Sequence, residues 1–352
     1  MTEPLRLSGP ADLVAVVPYL LGFHPSLSMV VIMMQSDSGS VLGTIRFDLP
    51  DHGAPSIARE LSRMLTRNAV TRVMLAGYGP GSRVTPVMDV IRETLPGHGI
   101  EVLEALRVED GRCWSYVCAD PSCCPPDGLP VDGCGEIAAN AVVAGLVALP
   151  DRGALEATLA PVDGARRTAM REATLAAHAR ANALLASPTS TGAYWYAEGL
   201  ARIREALCQV DRGQELSDEQ VAWLGVLLTI IPVRDSALTF TEHSDQTHLR
   251  LWAEVTRRVE PAYVPAPACL AAVMALVTGD GTLALVAVDR ALSADPGYRF
   301  AGMLRLALSI GVPPSTVADL RTPTMAQDIA SIVAENPDGV RPVLCDVTAE
   351  GR

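Results

Sequence analysis

The sequence predicts an α/β N-terminal domain, built on a mostly parallel sheet with flanking helices, followed by an all-helical domain of helix pairs. Three observations carry this. Up to residue 147, short apolar runs of strand length alternate with segments of helical periodicity, the pattern of βαβ units. From Tyr194 onward the periodicity is helical throughout. Between the two, residues 187–192 (SPTSTG) have the composition of a linker. The expected organisation is an α/β domain over 1–186, a helical domain over 193–321, and a short helix with a loose tail over 322–352.

In chain order, Ser8 and Pro10 read as the cap and first turn of a helix through 13–17, which Pro18 should end or kink. The turn-rich LLGFHPSLS leads into the continuous apolar run 29–34. Residues 41–49 alternate as the second strand of a hairpin. Ile57, Leu61, Met64 and Leu65 mark one face of a helix over 54–68, which feeds a short strand at 72–75. A helix over 85–95 and a strand over 100–108 follow, then a hairpin strand over 112–117 and an Ala-rich helix over 136–147. Downstream, helices are expected at 155–186, 194–210, 247–258, 268–278, 283–293, 296–310 and 325–334. Ser217 and Gln220 form a capping box that opens another, and Asp295 and Pro296 read as cap and first turn. The phrase from Ala271 through ALSADPGY faintly resembles a tetratricopeptide helix pair, although one pair does not make a repeat stack.

All 28 basic residues are arginine. Lysine is absent, which removes a Walker-type phosphate loop and Schiff-base chemistry. The net charge is −12, and residues 101–136, with 2 Arg against 8 Asp and Glu, contribute −6 of it. An acid surplus there argues against phosphate contact and nucleic acid, and favours a cationic ligand or metal. No basic, then apolar, leader opens the chain, and no apolar run reaches the ~20 residues that span a bilayer. The reading is therefore cytoplasmic, with no membrane partner, and the eight cysteines are expected as thiols or metal ligands rather than a disulfide frame.

Five of those cysteines fall in GRCWSYVCADPSCCPPDGLPVDGC, residues 111–134. In an extended strand Trp114, Tyr116 and Cys118 share one face, and Cys113, Ser115 and Val117 the other. The candidate loop is Trp114, Ser115, Tyr116, Cys118, Cys123 and Cys124, with His24 as an outside partner. Cys118, Cys123, Cys124 and Cys134 are the candidate zinc ligands, although their spacing is not that of a zinc knuckle. Adjacent cysteines in extended chain point to opposite sides, so one ion would take one of Cys123 and Cys124 more readily than both. Three readings stay open: packed or half-exposed thiols, a bound zinc, and a redox pair of Cys118 with Cys123 or Cys124.

His24, beside Gly22 and Pro25, reads first as a turn-bonding histidine and second as ligand or base. His243 and His248 are five apart and do not share a helical face. GYGPGS offers Gly77, Gly79, Gly81 and Ser82 as a weak anion site at a helix start, with a plain βα turn as the simpler reading, since the three-glycine dinucleotide spacing is missing.

LLGFHPSLSMVVI, GRCWSYVCADPSCCPPDG and PAPACLAAVMALVTGDGTLALVAVDRALSADPGY together resemble an actinobacterial family known only as domain of unknown function 4192. The most specific part is Ser115-Tyr116, Cys118, Cys123-Cys124-Pro125 and Gly128; Cys113 and Cys134 stand outside it. The resemblance implies no activity. The expectation for function is a ligand-binding or regulatory protein whose partner is a protein or small molecule. The alternative is a thiol-dependent redox enzyme or metal-assisted hydrolase using the same loop.

Overall fold

The computed structural model describes residues 9–35, 40–131, 139–140, 147–319 and 321–347. The chain divides into two compact units: Met1–Leu155 with Asp280–Thr282, and Glu156–Gly279 with Leu283–Arg352.

The first unit holds β1 (Ser28–Met34), β2 (Val41–Asp48), β3 (Arg72–Tyr78), β4 (Glu101–Glu109), β5 (Arg112–Ser115) and β6 (Leu129–Pro130) in one sheet of order β2-β1-β3-β4-β5-β6. The helices are α1 (Pro10–Leu21), α2 (Ala54–Arg67) and α3 (Gly81–Thr94). The sheet is mixed and mostly antiparallel, which corrects the expected parallel one: only β3 and β4 pair in parallel. The helices do join strands of like direction, as the alternation implied. The α2 crossover, however, carries β3 past β2 to the far side of β1, so β1 is inserted antiparallel between them. Local periodicity reports that a helix links two strands and says nothing of which strand lies between them.

The run SMVVIMM explains why β1 occupies an interior position. Met29, Val30, Val31 and Ile32 are all fully buried, as a strand covered on both faces requires. Met29 and Val31 join Val73, Leu75 and Ala105 beneath Ala58, Leu61 and Leu65 of α2 and Val84, Val87, Met88 and Ile91 of α3. The opposite face is left to α1, which contacts β2, β4 and β5. Gly77 lets α3 lie close, since a Cβ there would fall 2.3 Å from Val84 Cγ1. Pro18 does not end α1, which runs on to Leu21 and closes at a left-handed Gly22; one missing N–H costs the helix one internal bond, and the packed face outweighs it. The helix expected over 136–147 falls almost wholly outside the described residues.

The second unit is helical. Pro265–Val277 is buried along nearly its whole length and packs on Asp245–Arg258. Ser217 and Gln220 make the capping box in full at the start of Asp218–Leu227, and Ser244 caps Asp245–Arg258. The expected Asp295 cap is instead a turn: its carboxylate accepts from the Gly297 amide and the helix begins at Arg299. Residues 340–347 lie extended across the helices, with the amides of Val343 and Cys345 donating to Thr229 Oγ1 and Tyr263 Oη. Among the described residues no helix is long and apolar enough to cross a membrane.

Candidate functional site

The β5–β6 connection leaves the sheet at Ser115 and returns at Leu129. Its shape is set by polar contacts that begin with Ser115. That hydroxyl donates to Glu104 Oε1 at 2.8 Å and accepts the amides of Val117 at 3.1 Å and Cys118 at 3.0 Å, which bends the chain out of the strand. Asp120 then makes a side-chain turn, its Oδ1 accepting from both the amide and the hydroxyl of Ser122. The Asp120 carbonyl accepts the amides of Cys123 at 3.1 Å and Cys124 at 2.7 Å. A tight turn rather than an extended segment therefore carries the adjacent cysteines.

The return limb is held by Trp114 and Arg112. The Trp114 indole donates to Pro126 O at 2.9 Å, and Arg112 donates to the carbonyls of Asp127 and Gly128. Gly128 has φ +77°, and a Cβ there would lie 2.6 Å from the Trp114 ring. Both backbone sign and space thus demand glycine. The other strand-face partner, Tyr116, points toward α3, where its hydroxyl meets Thr85 Oγ1 at 2.6 Å.

This frame brings Cys118, Cys123 and Cys124 together, their sulfurs all within 4.8 Å of one another; Cys123 is exposed and the other two are half-buried. Their acidities are pushed apart. The Asp120 amide directed at the Cys118 sulfur, helped by the Cys124 thiol, lowers the Cys118 pKa, while burial, reinforced by the neighbouring thiols, pushes Cys124 up to about 12. The amide contact favours thiolate at Cys118 because it supplies a dipole to the charged form.

Cys134 lies outside the described residues. Cys113 is buried in β5 on the face away from Trp114, level with Val108. His24 is exposed and its amide donates to Leu149 O at 2.9 Å. It precedes β1 at the end where Ser28 is level with Tyr78, Val108 and Cys113, three strands from β5 and away from the direction in which the loop leaves. The structure does not bring it to the sulfurs.

In GYGPGS, Gly77 and Tyr78 end β3, Gly79 donates to Val108 O, and Gly81 and Ser82 open α3 with the Arg107 guanidinium lying against Gly81. The segment is a βα turn. A cleft of about 450 Å³ runs beside the cysteine loop, lined by Asp89, Arg92, Glu93, Ile100, Val102 and Val117. Val117 precedes Cys118 in the chain, but none of the three cysteines lines the cleft.

Sequence reasoning missed Glu104, Arg107 and Asp120. The first two sit on β4 and reach the loop only through strand pairing, which leaves no local signal. Asp120-Pro121-Ser122 is a side-chain turn signature that was open to reading.

The model of a family described as a domain of unknown function (DUF4192) matches residues 10–315. No curated protein and no solved structure matches the chain.

Proposed function

We propose that this chain, which belongs to the domain-of-unknown-function family DUF4192, is a cytoplasmic ligand-binding or regulatory protein whose Cys118, Cys123 and Cys124 loop holds a soft divalent metal ion, zinc above all. The convergence of three sulfurs supports this reading. Three points no more than 4.8 Å apart have a common centre at most 4.8/√3, about 2.8 Å, from each, and a contraction of ~0.5 Å reaches the zinc–thiolate distance of ~2.3 Å. A tetrahedral ion would keep one position for water or a further side chain. The acid surplus of residues 101–136 suits a cation and disfavours nucleic acid. The cytoplasmic assignment rests on reduced thiols being usable there. Lysine-free, Arg-rich composition supports an actinobacterial, high-GC origin, which the codon usage of the gene would test.

The experiment is a zinc titration of the anaerobically purified full chain against a chromophoric chelator, with elemental analysis beside it. One equivalent of zinc, lost in Cys118→Ser, Cys123→Ser and Cys124→Ser alike, is the expected result; Cys134→Ser shows whether the fourth ligand comes from that residue. A metal-free protein whose thiols all titrate freely would overturn the reading.

The opposed acidities of Cys118 and Cys124 favour a second reading, a thiol–disulfide exchange enzyme. The Cys118 thiolate would attack a disulfide, releasing one thiolate of the substrate. Cys124, losing its proton to solvent, would then attack the Cys118 sulfur and release the second. Stoichiometric reduction of a disulfide substrate by reduced, metal-free protein, leaving a Cys118–Cys124 disulfide and abolished in Cys118→Ser, separates this from zinc binding.

A further inference from the structure

The second unit contains a separate set of reactive groups. Cys208 lies in the last turn of the helix Gly192–Asp211, half-buried, with its Sγ 3.5 Å from His243 Nε2. The other ring nitrogen, His243 Nδ1, lies 3.7 Å from Asp211 Oδ2. Asp211 is three residues after Cys208 on the same helix and is itself positioned by Thr247, whose hydroxyl donates to Oδ1 at 3.0 Å. Thiol, imidazole and carboxylate thus stand in line, drawn from positions 208, 243 and 211.

A thiolate in the last turn of a helix is opposed by the helix dipole, so its counter-charge must come from outside that helix. The His243 ring is the group placed to supply it, facing the Cys208 sulfur through Nε2 and the Asp211 carboxylate through Nδ1. Beyond it, His248 is fully buried, and neither of its ring nitrogens has a hydrogen-bond partner among the described residues. The charges of Asp245, Glu242 and Arg321 act on that second ring together with His243. Charged and polar groups are therefore concentrated around the Cys208–His243 pair.

We propose that Cys208 is a peroxide-reactive thiol, with His243 as its general base and acid and Asp211 as the positioning residue. The Cys208 thiolate attacks one oxygen of a small hydroperoxide, the S–O bond forming as the O–O bond breaks. The thiol is oxidised by two electrons to the sulfenic acid and the peroxide is reduced to alcohol or water. The proton His243 took from sulfur goes to the leaving oxygen. Half-burial limits the reagent to small peroxides. Among the described residues no second thiol bonds Cys208, and the product of this step is the sulfenic acid. This site is independent of the Cys118 loop.

The test exposes the full-length protein to hydrogen peroxide at neutral pH, traps sulfenic acid with dimedone, and reads each cysteine-containing peptide by mass spectrometry. Cys208 is expected to label, and His243→Gln to slow it by ~10²-fold, the usual worth of a positioned base. At about pH 10, above the ordinary thiol pKa of ~8.5, solvent does the base's work and His243→Gln should recover most of the rate. Asp211→Asn, at a half-exposed surface position, should slow labelling at neutral pH while leaving the fold intact, so the idea stays testable if His243→Gln is unstable. Absence of the Cys208 adduct, or equal rates in wild type and Asp211→Asn with His243→Gln unrescued at high pH, overturns it.

Discussion

The Arg107 guanidinium lies 3.9 Å from the centroid of the Trp114 ring. With Gly128 against the same indole, this stack joins β4 to both limbs of the cysteine loop. Gly128→Ala should therefore cost about 1–3 kcal/mol, from a positive φ and a Cβ with no room. Denaturant unfolding checks the loss. In a Trp114→Ala background, where the steric part disappears, the added cost of Gly128→Ala should shrink to the backbone part.

Ser115 bonds three groups through one oxygen. Ser115→Ala should leave the sheet intact, since its backbone pairing with Leu106 does not need the hydroxyl. The bend that presents Cys118 should loosen. Zinc affinity should fall by ~10–100-fold, the scale on which groups that orient ligands act. Chelator competition reads this, and an unchanged affinity would show that the hydroxyl does not organise the site.

Tyr78 is 7% exposed, its hydroxyl has no hydrogen-bond partner among the described residues, and burial raises its pKa, with the Cys113 thiol adding to the effect. Tyr78→Phe removes a desolvated polar group without removing a bond. It should be neutral or stabilising by up to ~1 kcal/mol. Thermal unfolding decides it; a loss above that size would mean that the hydroxyl has a partner in solution.

His248 has its pKa lowered to about 4, by burial first and then by Arg321. The folded value lies below the ordinary ~6.5, so in the window between them the unfolded chain binds more protons and stability falls as pH falls. The loss from this group should amount to a few kcal/mol across the window and level off below pH ~4. His248→Leu, of similar volume, should flatten that acid limb in urea titrations at stepped pH. An unaltered limb would assign the acid sensitivity to other groups.

Features whose cause lies within one turn or one hairpin were legible in the chain. The Ser217 and Gln220 capping box forms as read, because both partners are three residues apart. The β1–β2 hairpin follows from alternation alone, whereas the strand face expected to carry Trp114, Tyr116 and Cys118 together ends at Ser115, where the bend takes Cys118 out of it. Asp295 failed for a local reason too, since its carboxylate had a competing turn amide at Gly297.

By itself, then, the sequence determined the two-part α/β and helical character, the short-range caps, the lysine-free chemistry, and the concentration of thiols and acid in residues 111–134. These depend on composition and on spacings of two to four residues, which the backbone converts directly into faces and turns. Tertiary structure decided the rest. It inserted β1 between β2 and β3, and it folded Asp120–Cys124 into a turn that sends both adjacent sulfurs toward Cys118. It also set Cys208 against His243, 35 residues away. Each of these is a choice of partner made by burying apolar faces and satisfying buried polar groups, and such choices are nonlocal, so no window along the chain contains them.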